Sequence, residues 1–212
     1  MKNLEKLVSG YKCFLNAEFK NHESRYQNLA ENGQSPKIMV IGCSDSRVNP
    51  DLIFNTKPGD IFVVRNVANL VPPYENDGSH HGTSAALEFA VTGLNVDHIV
   101  IMGHSLCGGV KACCDSVQGQ AINGEFIEKW TSFLKESAQK VKDNNKDIDN
   151  DQFHRLVEME GIRASINNLK AFPFIDKAIK ENTLILHGVY FNVGSAQLYA
   201  LDHITNDFIA VE

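Results

Sequence analysis

Four short apolar runs, each closed by glycine or a polar turn, limit what this chain can become: KIMVIG (37–42), DIFVVRN (60–66), DHIVIMGH (97–104) and TLILHGVYF (183–191). Three of them are continuous rather than alternating, the pattern of strands buried on both faces of a parallel sheet. Stretches of helical length and spacing fall between them, near 80–93, 108–118, 124–141 and 153–170. Strand–helix repetition of this kind predicts an α/β fold, a mainly parallel central β-sheet flanked by helices, with its site at the C-terminal ends of the strands. The polar stretch KVKDNNKDIDNDQ (140–152) reads as an exposed loop. No boundary interrupts the pattern, so 1–212 is expected to be a single domain with a helical arm over 1–31 and an α/β core over 32–212.

In the arm, Leu4, Leu7, Val8, Tyr11, Phe14, Leu15 and Phe19 recur at helical spacing with Lys and Glu between them. So wide an apolar stripe, placed before the first strand, must pack on the rest of the domain or on a second subunit. Across 212 residues, 20 Lys and Arg stand against 26 Asp and Glu, a net charge of −6. That balance argues against a broad phosphate-binding surface, so nucleic acid is excluded as a partner. The chain contains no apolar run of the roughly 18 residues a membrane span needs, and its N-terminus lacks a signal-peptide core, so no membrane partner and a cytoplasmic location are expected. Five cysteines (Cys13, Cys43, Cys107, Cys113, Cys114) are an odd set, which favours metal binding or packing in a reducing compartment over disulfides.

Two of the runs end in chemistry-bearing residues. The first leads into Cys43-Ser44-Asp45-Ser46-Arg47 and the third into His104-Ser105-Leu106-Cys107-Gly108-Gly109. Strands of such a sheet deliver their ends to one edge, so Cys43, His104 and Cys107 can converge. Two thiolates and an imidazole suit zinc at tetrahedral geometry, and His104 and Cys107, three apart, could share one turn at a helix start. Gly103, Gly108 and Gly109 let backbone pass close to a metal or ligand. Asp45 has two possible employments: as a fourth ligand it closes the site, and held by the Arg47 fork it leaves a position for water. A rival reading takes GHSLC as a nucleophile elbow on Ser105 with His187 or His203 as base, but Cys107 stands where that motif needs its second glycine.

The segments CSDSR (43–47), RNVANLVPP (65–73), HGTSAALEFAV (81–91), GHSLCGG (103–109), GIRASINNLKAFPF (161–174) and LHGVYF (186–191) together resemble the β-class carbonic anhydrases. The resemblance implies a lyase that reversibly hydrates carbon dioxide to bicarbonate and a proton by attack of zinc-bound hydroxide, with one Zn2+ per subunit. Cys43, His104 and Cys107 match the metal ligands, and Asp45 and Arg47 match the catalytic pair that gates the fourth position. Gln34 matches a catalytic glutamine that donates to bicarbonate from a neighbouring subunit. Phe62 and Val67 match residues lining the carbon dioxide pocket, Gly108 one whose amide approaches substrate, and Phe89 stands where a pocket tyrosine is frequent. Val40, where closed-site members carry tryptophan, implies the plant-like, open-site type, although Arg65, used by the closed-site members, is also present. The resemblance further implies a homo-oligomer, a homodimer at minimum and a homotetramer as the larger assembly. Two alternatives keep the same fold: action on another small linear substrate such as carbon disulfide, or a closed-site, zinc-stabilised module without activity.

Overall fold

A computed structural model describes residues 2–122 and 124–212. The four apolar runs form strands β1 (Ile38–Cys43), β2 (Ile61–Asn66), β3 (His98–His104) and β4 (Ile185–Phe191), all parallel, in the order β2-β1-β3-β4. The sheet continues through β5 (Leu198–Leu201) and β6 (Phe208–Ala210), both antiparallel. These last two strands were not anticipated. They are only four and three residues long, and side-chain turns carry the reversals. Asn192 accepts from the backbone N–H groups of Gly194 and Ser195, and Asp202 from those of Ile204 and Thr205.

The helices in chain order are α1 (Lys2–Asn16), α2 (Glu18–Asn21), α3 (Glu23–Asn32), α4 (Pro50–Ile53), α5 (Gly82–Glu88), α6 (Gly108–Val117), α7 (Glu125–Thr131), α8 (Lys135–Asn144), α9 (Asn150–Leu169) and α10 (Pro173–Lys180). Three differ from the sequence expectation. The helix anticipated over 80–93 ends at Glu88 and widens into a π turn over Phe89–Gly93. The one anticipated over 124–141 divides at a 3-10 turn, Ser132–Leu134. The loop expected over 140–152 contracts, because α8 runs to Asn144 and Asp149 caps α9 by accepting from the Gln152 N–H at 2.8 Å. Helix α10 begins at Pro173, a residue suited to a first helical position.

Alternate residues of the buried strands feed two cores. On one face Met39, Ile41, Ile99, Ile101 and Leu186 meet Leu87, Ile162, Ile166, Leu169 and Ile175. On the other, Val40, Met102 and Val189 meet Val110, Cys113, Cys114, Leu134 and Val157. Helix α9 lies so close to the sheet that a β-carbon at Gly103 would sit 2.7 Å from Ile162 Cδ1. Gly103→Ala is therefore expected to destabilise the protein by about 1–3 kcal/mol, read as a lower urea midpoint at unchanged slope.

The arm folds as α1–α3. Phe14, Phe19 and Tyr26 pack on one another with centroids 5.4–6.2 Å apart, and Arg25 ties α3 to Pro58 O and Asp60. Leu4, Leu7 and Tyr11 face outward, at least 59% exposed. Of the two readings of the stripe, packing on this domain is thus met only by its C-terminal part.

Candidate metal centre

Because β1 and β3 are hydrogen-bonded neighbours running the same way, Cys43 and His104 finish side by side at one sheet edge. Cys107 arrives from the turn that follows. Leu106 adopts φ 59°, reversing the chain, and Cys107 is the N-cap of α6. His104 and Cys107 therefore do not share a helical turn as the spacing suggested; a strand end, a left-handed residue and a cap bring them together. One ligand atom from each of Cys43, His104 and Cys107 lies within 4.8 Å of the others, and the two sulfurs are 3.9 Å apart.

All three residues are at least 95% buried. His104 Nδ1 pairs with Ser105 O at 2.9 Å, which sets the ring's orientation, while Nε2 has no protein partner. A buried imidazole nitrogen without a partner is costly unless something binds it. Facing two sulfurs, it completes a donor set of the kind zinc takes. The two sulfurs lie within hydrogen-bonding distance of each other. The Cys43 thiol is lowered to about 4, chiefly by its hydrogen bond with Cys107, and the Cys107 thiol is raised by the same contact and by burial. Burial is the largest single influence on His104 and opposes its charge, but the neighbouring Cys43 sulfur, the Ser105 carbonyl and the Asp45 carboxylate together outweigh it and raise the ring's pKa.

Asp45 and Arg47 form the fork expected of them. Arg47 Nε donates to Asp45 Oδ1 at 2.9 Å and Nη2 to Oδ2 at 2.7 Å, while the Arg47 backbone N–H adds a third bond to Oδ1 at 2.9 Å. Nη2 also reaches Leu106 O at 3.0 Å, linking this pair to the Cys107 turn. The Arg47 guanidinium holds the Asp45 carboxyl well below the usual carboxylate range. Arg65 is engaged in scaffolding: Nε donates to Cys43 O at 2.9 Å and Nη2 to Asp45 O at 2.7 Å.

Other supports were not legible in the chain. Buried Glu158, from α9, accepts from the Cys107 N–H at 3.0 Å and from the Tyr190 hydroxyl at 2.8 Å. Trp130 Nε1 donates to Val67 O at 2.7 Å.

Two of the expected pocket residues stand near the trio. Gly108 opens α6 directly after Cys107, with open space where a β-carbon would be. Val67 follows β2 and packs against Gly109, where an added β-carbon would sit 2.5 Å from Val67 Cγ1. Val67 also borders a cavity of about 910 Å³ together with Asn66, His81, Thr83, Trp130 and Phe133. Gln34, Phe62 and Phe89 are elsewhere in this subunit. Register pairs Cys43 with Asn66, so Phe62, four residues earlier, lies about 13 Å back along its strand, where its ring meets Phe89 at 5.9 Å. Gln34 is exposed and precedes β1, at the end of the strand opposite Cys43.

A buried Cys-His-Cys trio that could hold a metal ion, at the C-terminal edge of a parallel sheet and flanked by an ionised Asp–Arg pair, marks the candidate site of this α/β protein. The carbonic anhydrase family profile matches residues 38–198. Beta carbonic anhydrase 3 of Arabidopsis thaliana is 34% identical over 211 residues, which is 98% of this chain and 81% of that protein. The structure of the β-carbonic anhydrase CcaA superposes with TM-score 0.88 at 31% identity, covering 100% of this chain and 93% of that one. A structure from a study of two tetrameric β-carbonic anhydrases of the ascomycete Sordaria macrospora gives TM-score 0.79 at 30% identity over 95% of this chain and 98% of that one. The chain belongs to the β-carbonic anhydrase family and is a carbonic anhydrase. Among the described residues, no helix is long and apolar enough to cross a membrane.

Proposed function

We propose that this chain hydrates carbon dioxide reversibly at a zinc ion held by Cys43, His104 and Cys107, in an open site whose fourth position is left to water. The observation that carries this reading is His104 Nε2, buried and unpartnered beside two sulfurs, while both carboxylate oxygens of Asp45 are turned to Arg47. When bound, zinc supplies the Lewis acidity that lets water ionise near neutral pH. Asp45, ionised and able only to accept, takes a hydrogen bond from the nucleophile and fixes its lone pair toward carbon dioxide. Val67 offers an apolar wall, and the Gly108 amide stands at a helix N-terminus where negative charge on the product is favoured.

Gln34, Phe62 and Phe89 are assigned to the site of a second copy. The exposed stripe of α1 needs a covering surface, so a homodimer is the minimum unit, with a homotetramer the next assembly. The five free cysteines fit a reducing, cytoplasmic setting. The hydrolase alternative is not favoured, since Ser105 Oγ accepts from the Val193 N–H at 2.8 Å and serves the turn. The closed-site module needs Asp45 free of Arg47. Carbonic anhydrase relatives spanning nearly the whole chain support carbon dioxide over carbon disulfide.

Stopped-flow hydration with zinc analysis across neutral and mildly alkaline pH tests the reading; stoichiometric zinc without hydration would end it. The shared pocket has its own test. Gln34→Ala and Asp45→Asn should each be impaired, yet refolding them together should restore about a quarter of wild-type activity. Half of randomly formed dimers are mixed, and each mixed dimer carries one intact site. No recovery on mixing would place Gln34 outside the partner's site.

A further inference from the structure

The sheet's opposite edge carries a second group of nitrogen ligands. His98 opens β3 and His187 lies on β4, two residues beyond its register partner Ile185, so both occupy the face that bears Val100 and Val189. His98 Nδ1 and His187 Nε2 are 3.1 Å apart, with ring centroids at 5.2 Å. His203, on the turn after β5, brings a third ring to 6.3 Å from His187. His104 ends β3 and His98 begins it, a strand length of about 20 Å, so this cluster is separate from the Cys-His-Cys trio.

We propose that His98, His187 and His203 form a second metal site, for a borderline divalent ion such as Zn2+, Ni2+ or Cu2+ held by imidazole nitrogens. Two nitrogens bound to one tetrahedral zinc at about 2.0–2.1 Å lie about 3.3 Å apart, close to the separation already present between His98 and His187. Without metal, the same separation serves a hydrogen bond between two neutral rings, so the pair is satisfied in either state. Burial, reinforced by the neighbouring His98 and His203, lowers the His187 pKa and keeps that ring in the neutral form a metal requires. The nitrogens of the three rings do not all lie within 4.8 Å of one another, so the site requires the exposed His203, on a turn fixed by Asp202, to change rotamer toward the pair. Asp97, next to His98, is engaged with Lys37 at 3.5 Å. Imidazole ligands suit these ions, while the absence of a thiolate separates this site's preference from that of the trio.

Equilibrium dialysis against free Zn2+, and in parallel Ni2+, with bound metal counted by atomic absorption, tests the proposal. Wild type should hold one equivalent per chain more than His98→Gln/His187→Gln, and its melting temperature should rise with free metal where the double variant's does not. His203→Ala, on the exposed turn, should weaken the extra site about tenfold while circular dichroism stays unchanged. Because the readout is the difference between wild type and variant, it does not depend on occupancy of the Cys-His-Cys trio. Equal metal content in wild type and double variant, or binding unaffected by His203→Ala, would overturn the three-histidine site.

Discussion

Replacing Asp45 by asparagine is expected to slow carbon dioxide hydration by about 100-fold while leaving bound zinc unchanged. Oδ1 of an asparagine could still accept the Arg47 backbone N–H and Nε, both 2.9 Å away in the native pair. The amide nitrogen would then face Arg47 Nη2 at the 2.7 Å now occupied by an ion pair, donor against donor. Flipping the amide moves the conflict to the other two donors. The side chain thus leaves its place, and an acceptor-only carboxylate is lost beside the nucleophile. None of the three proposed metal ligands is touched. Wild-type turnover at wild-type zinc content would remove Asp45 from the reaction.

The pH dependence separates Asp45 from other groups. Its carboxyl titrates below the ordinary range in the folded state, so the Asp45–Arg47 pair contributes fully above the unfolded carboxylate pKa and is lost only as pH falls through the depressed folded value. A loss of hydration that begins near neutral pH therefore reports another group. It should persist, at reduced amplitude, in Asp45→Asn.

What the sequence disclosed follows from how each feature is encoded. β1 and β3 were legible because burial on both faces writes continuous apolar runs, and all four parallel strands, 38–43, 61–66, 98–104 and 185–191, fall within a residue or two of their expected bounds. The ligand trio was legible because two strand ends of one parallel sheet must meet at a common edge. β5 and β6 escaped because strands of four and three residues, half exposed, carry too little periodicity to register. Helix breaks at Ser132–Leu134 and Phe89–Gly93 escaped because tertiary packing overrides local propensity. Glu158 escaped for another reason: its partners, the Cys107 N–H and the Tyr190 hydroxyl, lie 51 and 32 residues away. Gln34, Phe62 and Phe89 show the converse case. The family resemblance assigned them to the pocket, and a single subunit does not bring them there, which is why the mixing experiment bears directly on assembly.

Cys107→Ala is expected to lose zinc on dialysis and to fall to the uncatalysed rate, with the fold retained. The backbone at 107 does not depend on the sulfur, since its N–H is held by Glu158 and the preceding carbonyl, Leu106 O, by Arg47. What disappears is one of three donors that converge within 4.8 Å, leaving His104 and Cys43 as a two-ligand remnant. Metal affinity at such a site depends on the full set, because each thiolate both binds the ion and neutralises its charge. Cys113→Ala is the matched control. That thiol is equally buried but points into the apolar core, where burial raises it to about 11, so its loss should cost packing and leave zinc and turnover intact. Atomic absorption on both variants decides the matter: stoichiometric zinc in Cys107→Ala would contradict the ligand set, whatever the activity, whereas loss confined to that variant ties the metal to this sulfur and not to cysteine content in general.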